Sequence, residues 1–267
     1  MLVATDLDGT LLRPDGSLSE YSVQTLTRIT AGGTPLVLVT GRPLRWLSTV
    51  YGELRLPVPA VCANGAVVYD PASDTVLRTN PFDARLLGQV CERLREAIPD
   101  VAFAVEISDG REMRHESAYP LRWDTDDPAV RIATDLYALP AVKLLVRAGD
   151  RDADEFTALV SSYVDGLAEA THSSGSGLVE LTALGVTKAA GLTWLCERLG
   201  VPAQDVVAFG DMPNDVPMLA WAGRAVAVAN AHPAVKAVAD EVTGSNDEDG
   251  VARWLDAAVP AGAPARP

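Results

Sequence analysis

The chain has 267 residues, of which 48% are hydrophobic and 22% charged, an ordinary composition for a globular protein. Its formal net charge of -14 would repel nucleic acid, so no nucleic-acid partner is expected. Every apolar run is shorter than the about 18 residues of a membrane span, and the first residues do not resemble a secretion signal. The three cysteines lie far apart, which disfavours a disulfide framework or zinc site and favours a cytoplasmic protein with free thiols.

The first part of the chain alternates buried strands with helices. Residues 2–7 form an apolar run that predicts a buried parallel strand, and residues 19–29 have helical spacing with Ser19 as N-cap. Further strands are predicted at 35–39 and Ala60–Cys62, with a helix over about 44–54 between them and a hairpin-like turn after them. This order predicts a doubly wound, mainly parallel Rossmann-like α/β sheet.

The middle of the chain has a different pattern. Helices at Ala84–Ala97 and Ala153–Val164 accompany alternating strands at 101–107, 111–115 and 142–147, which is typical of an α+β insertion. Regular alternation of strands and helices returns near residue 187. We therefore expect a discontinuous catalytic core (1–81 and 185–258), an inserted α+β cap domain (82–184) and a flexible tail (259–267).

Two carboxylates follow the first predicted strand. Asp6 and Asp8 come directly after the apolar run, where each charge resists desolvation. A bound divalent cation would offset this cost, because Mg²⁺ prefers oxygen ligands. Gly9 would allow the backbone to approach a ligand closely.

Three later segments fall at the same predicted edge of the sheet. Thr40-Gly41-Arg42 leads into a helix and offers a hydroxyl and free N–H groups for a phosphate. Lys188 opens the helix that restarts the core, where a cation is unfavourable beside the helix dipole. The run GDMPND at 210–215 brings Asp211, Asn214 and Asp215 into a second cluster of oxygen donors.

In combination and in this order, the four segments resemble the motifs of the haloacid dehalogenase superfamily of phosphatases. DLDGT at 6–10 resembles the first motif, Thr40 the second, Lys188 the third and GDMPND the fourth. The inserted cap is similar to that of the Cof-type subgroup (class IIB), as are CANGA at 62–66 and SSGSGLVEL at 173–181. The resemblance covers about residues 1 to 255. Ala189 departs from it, since the subgroup usually has Gly after the lysine.

The resemblance implies a Mg²⁺-dependent hydrolysis of a small phosphorylated metabolite, such as a sugar phosphate. Asp6 would be the nucleophile that forms an aspartyl-phosphate, and Asp8 the general acid and base. Thr40 and Lys188 would hold the phosphoryl oxygens. The implied metal ligands are the Asp6 carboxylate, the Asp8 carbonyl and Asp211, with Asp215 as ligand or anchor. Further substrate-binding residues would be Gly9, Gly41, Arg42, Asn64 and Asn214.

The cap is expected to close over the core and supply the leaving-group pocket. Candidate contacts are the 173–177 loop, His115 and Arg147, with Trp123 as a possible pocket residue. His115 and His172 are otherwise interpreted as surface residues. A monomer or a small homo-oligomer is expected.

Two alternatives remain open from the sequence. A phosphomutase would use the same aspartyl-phosphate but return the phosphoryl group to its substrate. A non-enzymatic phosphoacceptor or binding module also combines acids, Mg²⁺, Thr and Lys. Such a module needs no inserted cap, and the pair Asp6 and Asp8 on the first strand argues against it.

Overall fold

The computed structural model describes residues 1–121, 126–175 and 177–259. Fourteen strands occur within this part of the chain: β1 Leu2–Thr5, β2 Leu36–Val39, β3 Ala60–Cys62, β4 Val67–Asp70, β5 Thr75–Thr79, β6 Ala102–Ile107, β7 Glu112–His115, β8 Val130–Ile132, β9 Lys143–Arg147, β10 Ala168–Thr171, β11 Leu178–Ala183, β12 Val206–Gly210, β13 Arg224–Ala227 and β14 Glu241–Val242. The α-helices of the same part are α1 Glu20–Ala31, α2 Leu47–Leu54, α3 Ala84–Ala97, α4 Ala153–Val164, α5 Lys188–Leu199, α6 Val216–Trp221, α7 Pro233–Lys236 and α8 Gly250–Ala258.

The larger sheet has eight strands in the order β14-β13-β12-β1-β2-β3-β4-β5. All neighbours from β14 to β3 are parallel, whereas β4 and β5 pair antiparallel at one edge. The central strands β1, β2 and β12 are buried at every position. A parallel strand covered on both faces needs this continuous apolar run. The predicted doubly wound α/β sheet is confirmed.

The smaller sheet has six strands in the order β10-β11-β9-β6-β7-β8, antiparallel except for β7 with β8. Helices α3 and α4 pack on each other, and α4 packs on β10 and β11. An apolar cluster that includes Phe82, Phe103 and Phe156 fills the space between helices and sheet. The predicted α+β insertion is thus confirmed as a fold. We call the smaller sheet with α3 and α4 the cap, and the larger sheet with the other helices the core.

Local capping explains where the site-bearing helices begin. Thr187 is extended (φ -133°), and its hydroxyl accepts a hydrogen bond from the Ala190 N–H, so α5 begins at Lys188. Ser19 caps α1 in the same way through the N–H of Ser22, as predicted. The cap helices begin after Asp83 and Asp152, whose carboxylates accept backbone N–H groups. The N-cap at Thr187 therefore places Lys188 in the first turn of α5.

Some expectations stay predictions, and one is wrong. The domain boundaries at 81/82 and 184/185, the oligomeric state and the tail stay predictions, and almost all of the tail lies outside the described residues. In the part of the chain described here, no helix has the length and apolar character needed to cross a membrane.

The surface position expected of His115 and His172 is wrong, because they are only 6% and 3% exposed. The His115 Nδ1–H donates to the Glu116 carbonyl oxygen, and His172 Nε2 bonds the Asp154 carboxylate.

Candidate active site

The predicted site residues meet at the carboxyl edge of three adjacent strands. Asp6 follows β1, Thr40 follows β2 and Asp211 follows β12, and these strands are neighbours in the sheet. In doubly wound sheets this edge is where ligands bind. Lys188 joins them from the first turn of α5.

Three buried carboxylates form the centre of the site. Oxygens of Asp6, Asp211 and Asp215 all lie within 4.8 Å of one another. The ammonium of Lys188, 1% exposed, donates to Asp6 Oδ1 and to Asp215 Oδ1 at 2.6 Å each. One cation thus faces three acids, which leaves an excess of negative charge in a desolvated place.

The titration of these groups reflects that excess. Burial raises the pKa of Asp6 well above its usual range, against the opposing effect of Lys188, and the Asp215 and Asp211 carboxylates raise it further. Burial, followed by Asp215, raises the pKa of Asp211 to about 7. For Lys188, burial alone would lower the pKa, but Asp215 and Asp6 hold it above its usual range. The carboxylates need more positive charge than Lys188 supplies to ionise together.

The residues present fit a hard divalent cation. Three clustered carboxylates are the donor type that Mg²⁺ prefers, and the raised pKa values of Asp6 and Asp211 indicate that a further cation would be stabilised there. Nearby, the Asn214 side-chain oxygen is buried and accepts no hydrogen bond within the described residues. Such an oxygen can accept a hydrogen bond from a water molecule that is bound to a metal ion.

Asp215 is already engaged through both of its oxygens. Oδ2 accepts from the backbone N–H groups of Asp211 (3.0 Å) and Met212 (3.1 Å), while Oδ1 accepts from Lys188. These bonds shape the acidic loop after β12. Of the two roles left open by the sequence, the geometry favours an anchor of the loop over a direct metal ligand.

Gly9 brings the first loop against Asp211. Its φ of +78° is in the left-handed region, and a Cβ there would lie 2.2 Å from Asp211 Oδ2. The next residue, Thr10, donates its hydroxyl to Asp211 Oδ1 at 2.7 Å. Glycine is therefore required for contact between two loops, and Thr10 is a site contact that the sequence reasoning missed.

The second acid of the first motif pairs with the predicted phosphate loop. Arg42 donates through Nε and Nη2 to the two oxygens of Asp8 at 2.7 and 2.6 Å. The Asp8 side chain is 54% exposed, and that of Arg42 is 18% exposed. Thr40 is fully buried, and its hydroxyl accepts from the Arg42 N–H at 3.0 Å. Arg42 thus fixes Asp8 beside the open face of the site.

A cavity of about 340 Å³ lies between core and cap above these groups. Its core lining includes Asp6, Asp8, Gly41, Arg42, Pro43, Trp46, Met212 and Asn214. Its cap lining is Glu106, Lys143, Leu145, Ser173, Ser174, Leu178 and Glu180. The cap therefore contributes polar and apolar groups to one shared pocket.

The predicted cap contacts have mixed outcomes. Ser173 and Ser174 line the cavity, whereas the buried residues His115 and Arg147 are not among its lining residues. Trp123 and Ser176 lie outside the described residues. Thr40 and Asn64 lie behind the wall, since neither lines the cavity.

Three buried charges that line the cavity from the cap, Glu106, Lys143 and Glu180, were missed by the sequence reasoning. Lys143 Nζ donates to Glu180 Oε1 at 2.8 Å, and both side chains line the cavity. The signal was available, because each charge interrupts an apolar strand, Lys143 at the start of β9 and Glu180 within β11. A charge in such a place is normally paired.

Comparisons with known proteins agree with this fold. A family model described as haloacid dehalogenase-like hydrolase matches residues 3–255. The 5-amino-6-(5-phospho-D-ribitylamino)uracil phosphatase YitU of Bacillus subtilis (strain 168) is 32% identical, over 95% of this chain and 96% of that protein. The pyridoxal phosphate phosphatase YbhA of Escherichia coli (strain K12) is also 32% identical, over 95% and 97%. A haloacid dehalogenase-like hydrolase from Bacteroides thetaiotaomicron has a similar structure, with a TM-score of 0.75, 28% identity and coverage of 96% and 98%.

The fold, the pocket and these relatives define a hydrolase of phosphoric monoesters. The chain belongs to the haloacid dehalogenase-like hydrolase family and has the Cof-type arrangement of core and cap. The resemblance found in the sequence is confirmed.

Proposed function

We propose that the protein hydrolyses a small phosphorylated metabolite by Mg²⁺-dependent transfer of the phosphoryl group to Asp6. The observation that carries this proposal is the position of Asp6. Its carboxylate lines the cavity and is held by Lys188 within a cluster of acids that needs a cation. A nucleophile must be ionised and fixed in this way to attack phosphorus in line.

In the first step, an Asp6 oxygen forms a bond to phosphorus while the bond from phosphorus to the leaving oxygen breaks. Asp8, on the cavity wall, donates a proton to that oxygen. In the second step, Asp8 takes a proton from water as the water oxygen attacks phosphorus. Orthophosphate leaves, and Asp6 is restored as a carboxylate.

The remaining residues bind and orient. Lys188 holds Asp6 through its 2.6 Å bond and reduces repulsion between that carboxylate and the phosphoryl oxygens. Within the 40–42 loop the Gly41 N–H would donate to a phosphoryl oxygen, because the Thr40 and Arg42 N–H groups are bonded to the Val61 carbonyl and the Thr40 hydroxyl. Arg42 orients Asp8. Asp6, Asp211 and the Asp8 carbonyl would hold Mg²⁺, with Asp215 anchoring the loop. When bound, the ion would neutralise the acids and the charge on the phosphoryl group.

The cavity limits the substrate to a small one. A volume of about 340 Å³ is at the lower end of pockets for small molecules. YitU and YbhA are named for a phosphorylated ribitylaminouracil and for pyridoxal phosphate. We propose a monoester of that size, with sugar phosphates as the other candidates.

The test is phosphate release from a panel of such monoesters with Mg²⁺ and with EDTA. We expect turnover with Mg²⁺ and its loss with EDTA, and no requirement for a bisphosphate activator. A strict need for a bisphosphate would favour the mutase instead. Turnover that persists undiminished in EDTA would contradict the metal requirement.

A further inference from the structure

One ion pair of the cap contacts the 40–42 loop directly and reaches the acidic loop after β12 through Asn64. Lys143, in β9, and Glu180, in β11, are 3% and 4% exposed, and their 2.8 Å bond lies on the side of the cap sheet that faces the cavity. Burial alone would raise the pKa of Glu180, but Lys143 and the Asn64 amide hold it below its usual range. Each side chain needs hydrogen-bond partners because it is removed from water.

Lys143 finds its second partner in the core. Its ammonium donates to the Gly41 carbonyl oxygen at 2.6 Å, in the loop that follows β2. A Cβ at Gly41 would lie 3.1 Å from Asn64 Oδ1 and 3.4 Å from Glu180 Oε2. The loop is thus pressed against the same residues that the ion pair engages.

Glu180 has its second partner, Asn64, in the segment that follows β3. Its Oε2 accepts from the Asn64 side-chain amide at 2.8 Å, and Asn64 Oδ1 accepts from Asn214 Nδ2 at 3.1 Å. Asn214 precedes Asp215, the residue that shapes the acidic loop and bonds Lys188. Asn64 has φ +55° in the left-handed region, a conformation that its surroundings must stabilise.

We propose that the Lys143–Glu180 pair is a positioning unit that joins closure of the cap to assembly of the phosphoryl site. With the cap seated, the pair fixes Gly41 on one side and, through Asn64, Asn214 on the other. If the cap moves away, Gly41 loses its hydrogen bond from Lys143 and Asn64 loses its acceptor Glu180 at the same time. This inference rests on the proposed function, because it assigns the loops to phosphoryl binding.

The expected effect is on rate. A displacement of the order of 1 Å in a reacting group reduces turnover roughly 100-fold. Both side chains also line the cavity, but the pair would act by holding the loops, so its effect should be the same whatever leaving group the substrate carries. The loss should appear in kcat rather than in KM, because the loops position the phosphoryl group in the transition state.

The test uses Glu180→Gln, Lys143→Met and the double variant. Each is measured with Mg²⁺ on 4-nitrophenyl phosphate and on acetyl phosphate, which has a much smaller and chemically different leaving group. We expect kcat to fall roughly 10- to 100-fold on both substrates and the double variant to be no worse than the poorer single one. Thermal unfolding checks that each variant folds. If Lys143→Met does not fold, the isosteric Glu180→Gln carries the test.

The matched control is Asp154→Asn. Asp154 also joins cap to core, by bonds to His172 (2.9 Å) and to His232 of the core (3.1 Å), but its side chain contacts neither Gly41 nor Asn64. Its kcat should stay near that of the wild type. An equal fall in Asp154→Asn, a fall confined to 4-nitrophenyl phosphate, or no fall in Glu180→Gln would each overturn the inference while wild-type turnover upholds the proposed function. A wild type that releases no phosphate would overturn both.

Discussion

The ammonium of Lys188 lies 2.6 Å from Asp6 Oδ1, although 182 positions separate the two residues in the chain. The two residues are 1% and 5% exposed, so this contact operates with little screening by water. It joins the first strand of the core to the first helix after the cap. The candidate site therefore combines residues from both sides of the cap insertion in the sequence.

Asp8→Asn should slow turnover most for substrates with poor leaving groups. An amide cannot donate the proton that an alkoxide needs, whereas a nitrophenolate departs without one. We expect a loss of roughly 100- to 10,000-fold on an alkyl phosphate and a much smaller loss on 4-nitrophenyl phosphate. The measurement is kcat for both substrates. Because Arg42 holds Asp8 at the wall, unfolding temperature serves as the control for a lost ion pair. Equal slowing of both substrates would count against Asp8 as the acid.

The metal-free protein should lose stability as pH rises from about 4 to about 7. Burial and Asp215 raise the pKa of Asp211 to about 7, and an unfolded aspartate titrates near about 3.9. Between these values the folded state binds more protons than the unfolded state, so the free energy of unfolding falls with rising pH. Mg²⁺ needs the ionised carboxylate, so the stabilisation it adds should grow over the same range.

The measurement is the unfolding temperature in EDTA and in Mg²⁺ at a series of pH values. Asp211→Asn is the matched variant, and its curve in EDTA should be flatter and higher near neutral pH. A wild-type protein that gains stability in EDTA between these pH values would contradict the electrostatic account of the cluster.

Gly9→Ala should be far more damaging than Gly16→Ala. The two glycines have nearly the same φ, +78° and +81°, but a Cβ at Gly16 meets nothing within 4 Å. Gly16→Ala should cost about 1 kcal/mol from backbone strain alone. At Gly9 the contact with Asp211 adds overpacking, for a total of about 2–5 kcal/mol. Denaturant unfolding measures both, and equal losses would show that the contact with Asp211 does not constrain the loop.

The sequence predicts most of the core and the identity of the reactive groups. Strand ends are readable because buried parallel strands need continuous apolar runs, and Asp6, Thr40 and Asp211 each follow such a run. The helices Ala84–Ala97 and Ala153–Val164 were predicted with the observed bounds. Local patterns of this kind depend only on neighbouring residues.

What the sequence did not predict depends on residues far apart in the chain. The contacts from Lys143 to Gly41 and from Glu180 to Asn64 span 102 and 116 positions. The burial of His172 likewise depends on how the cap meets the core, because its partner Asp154 also bonds His232. The spacing of apolar residues within one helix or strand does not determine such contacts. The sequence therefore shows that charges in the cap strands are unusual, but not which residues they bond.

The most direct test of the account is the location of the phosphoryl group during turnover. The wild-type enzyme with Mg²⁺ and 4-nitrophenyl phosphate is quenched in acid, and its amino-terminal peptide is fragmented by mass spectrometry. Asp6→Asn, which should retain less than about a thousandth of the wild-type activity, is the control. We predict a phosphoryl group on Asp6 in the wild type and none in the variant. A phosphoryl group on another residue, or near wild-type turnover of Asp6→Asn, would contradict the central claim.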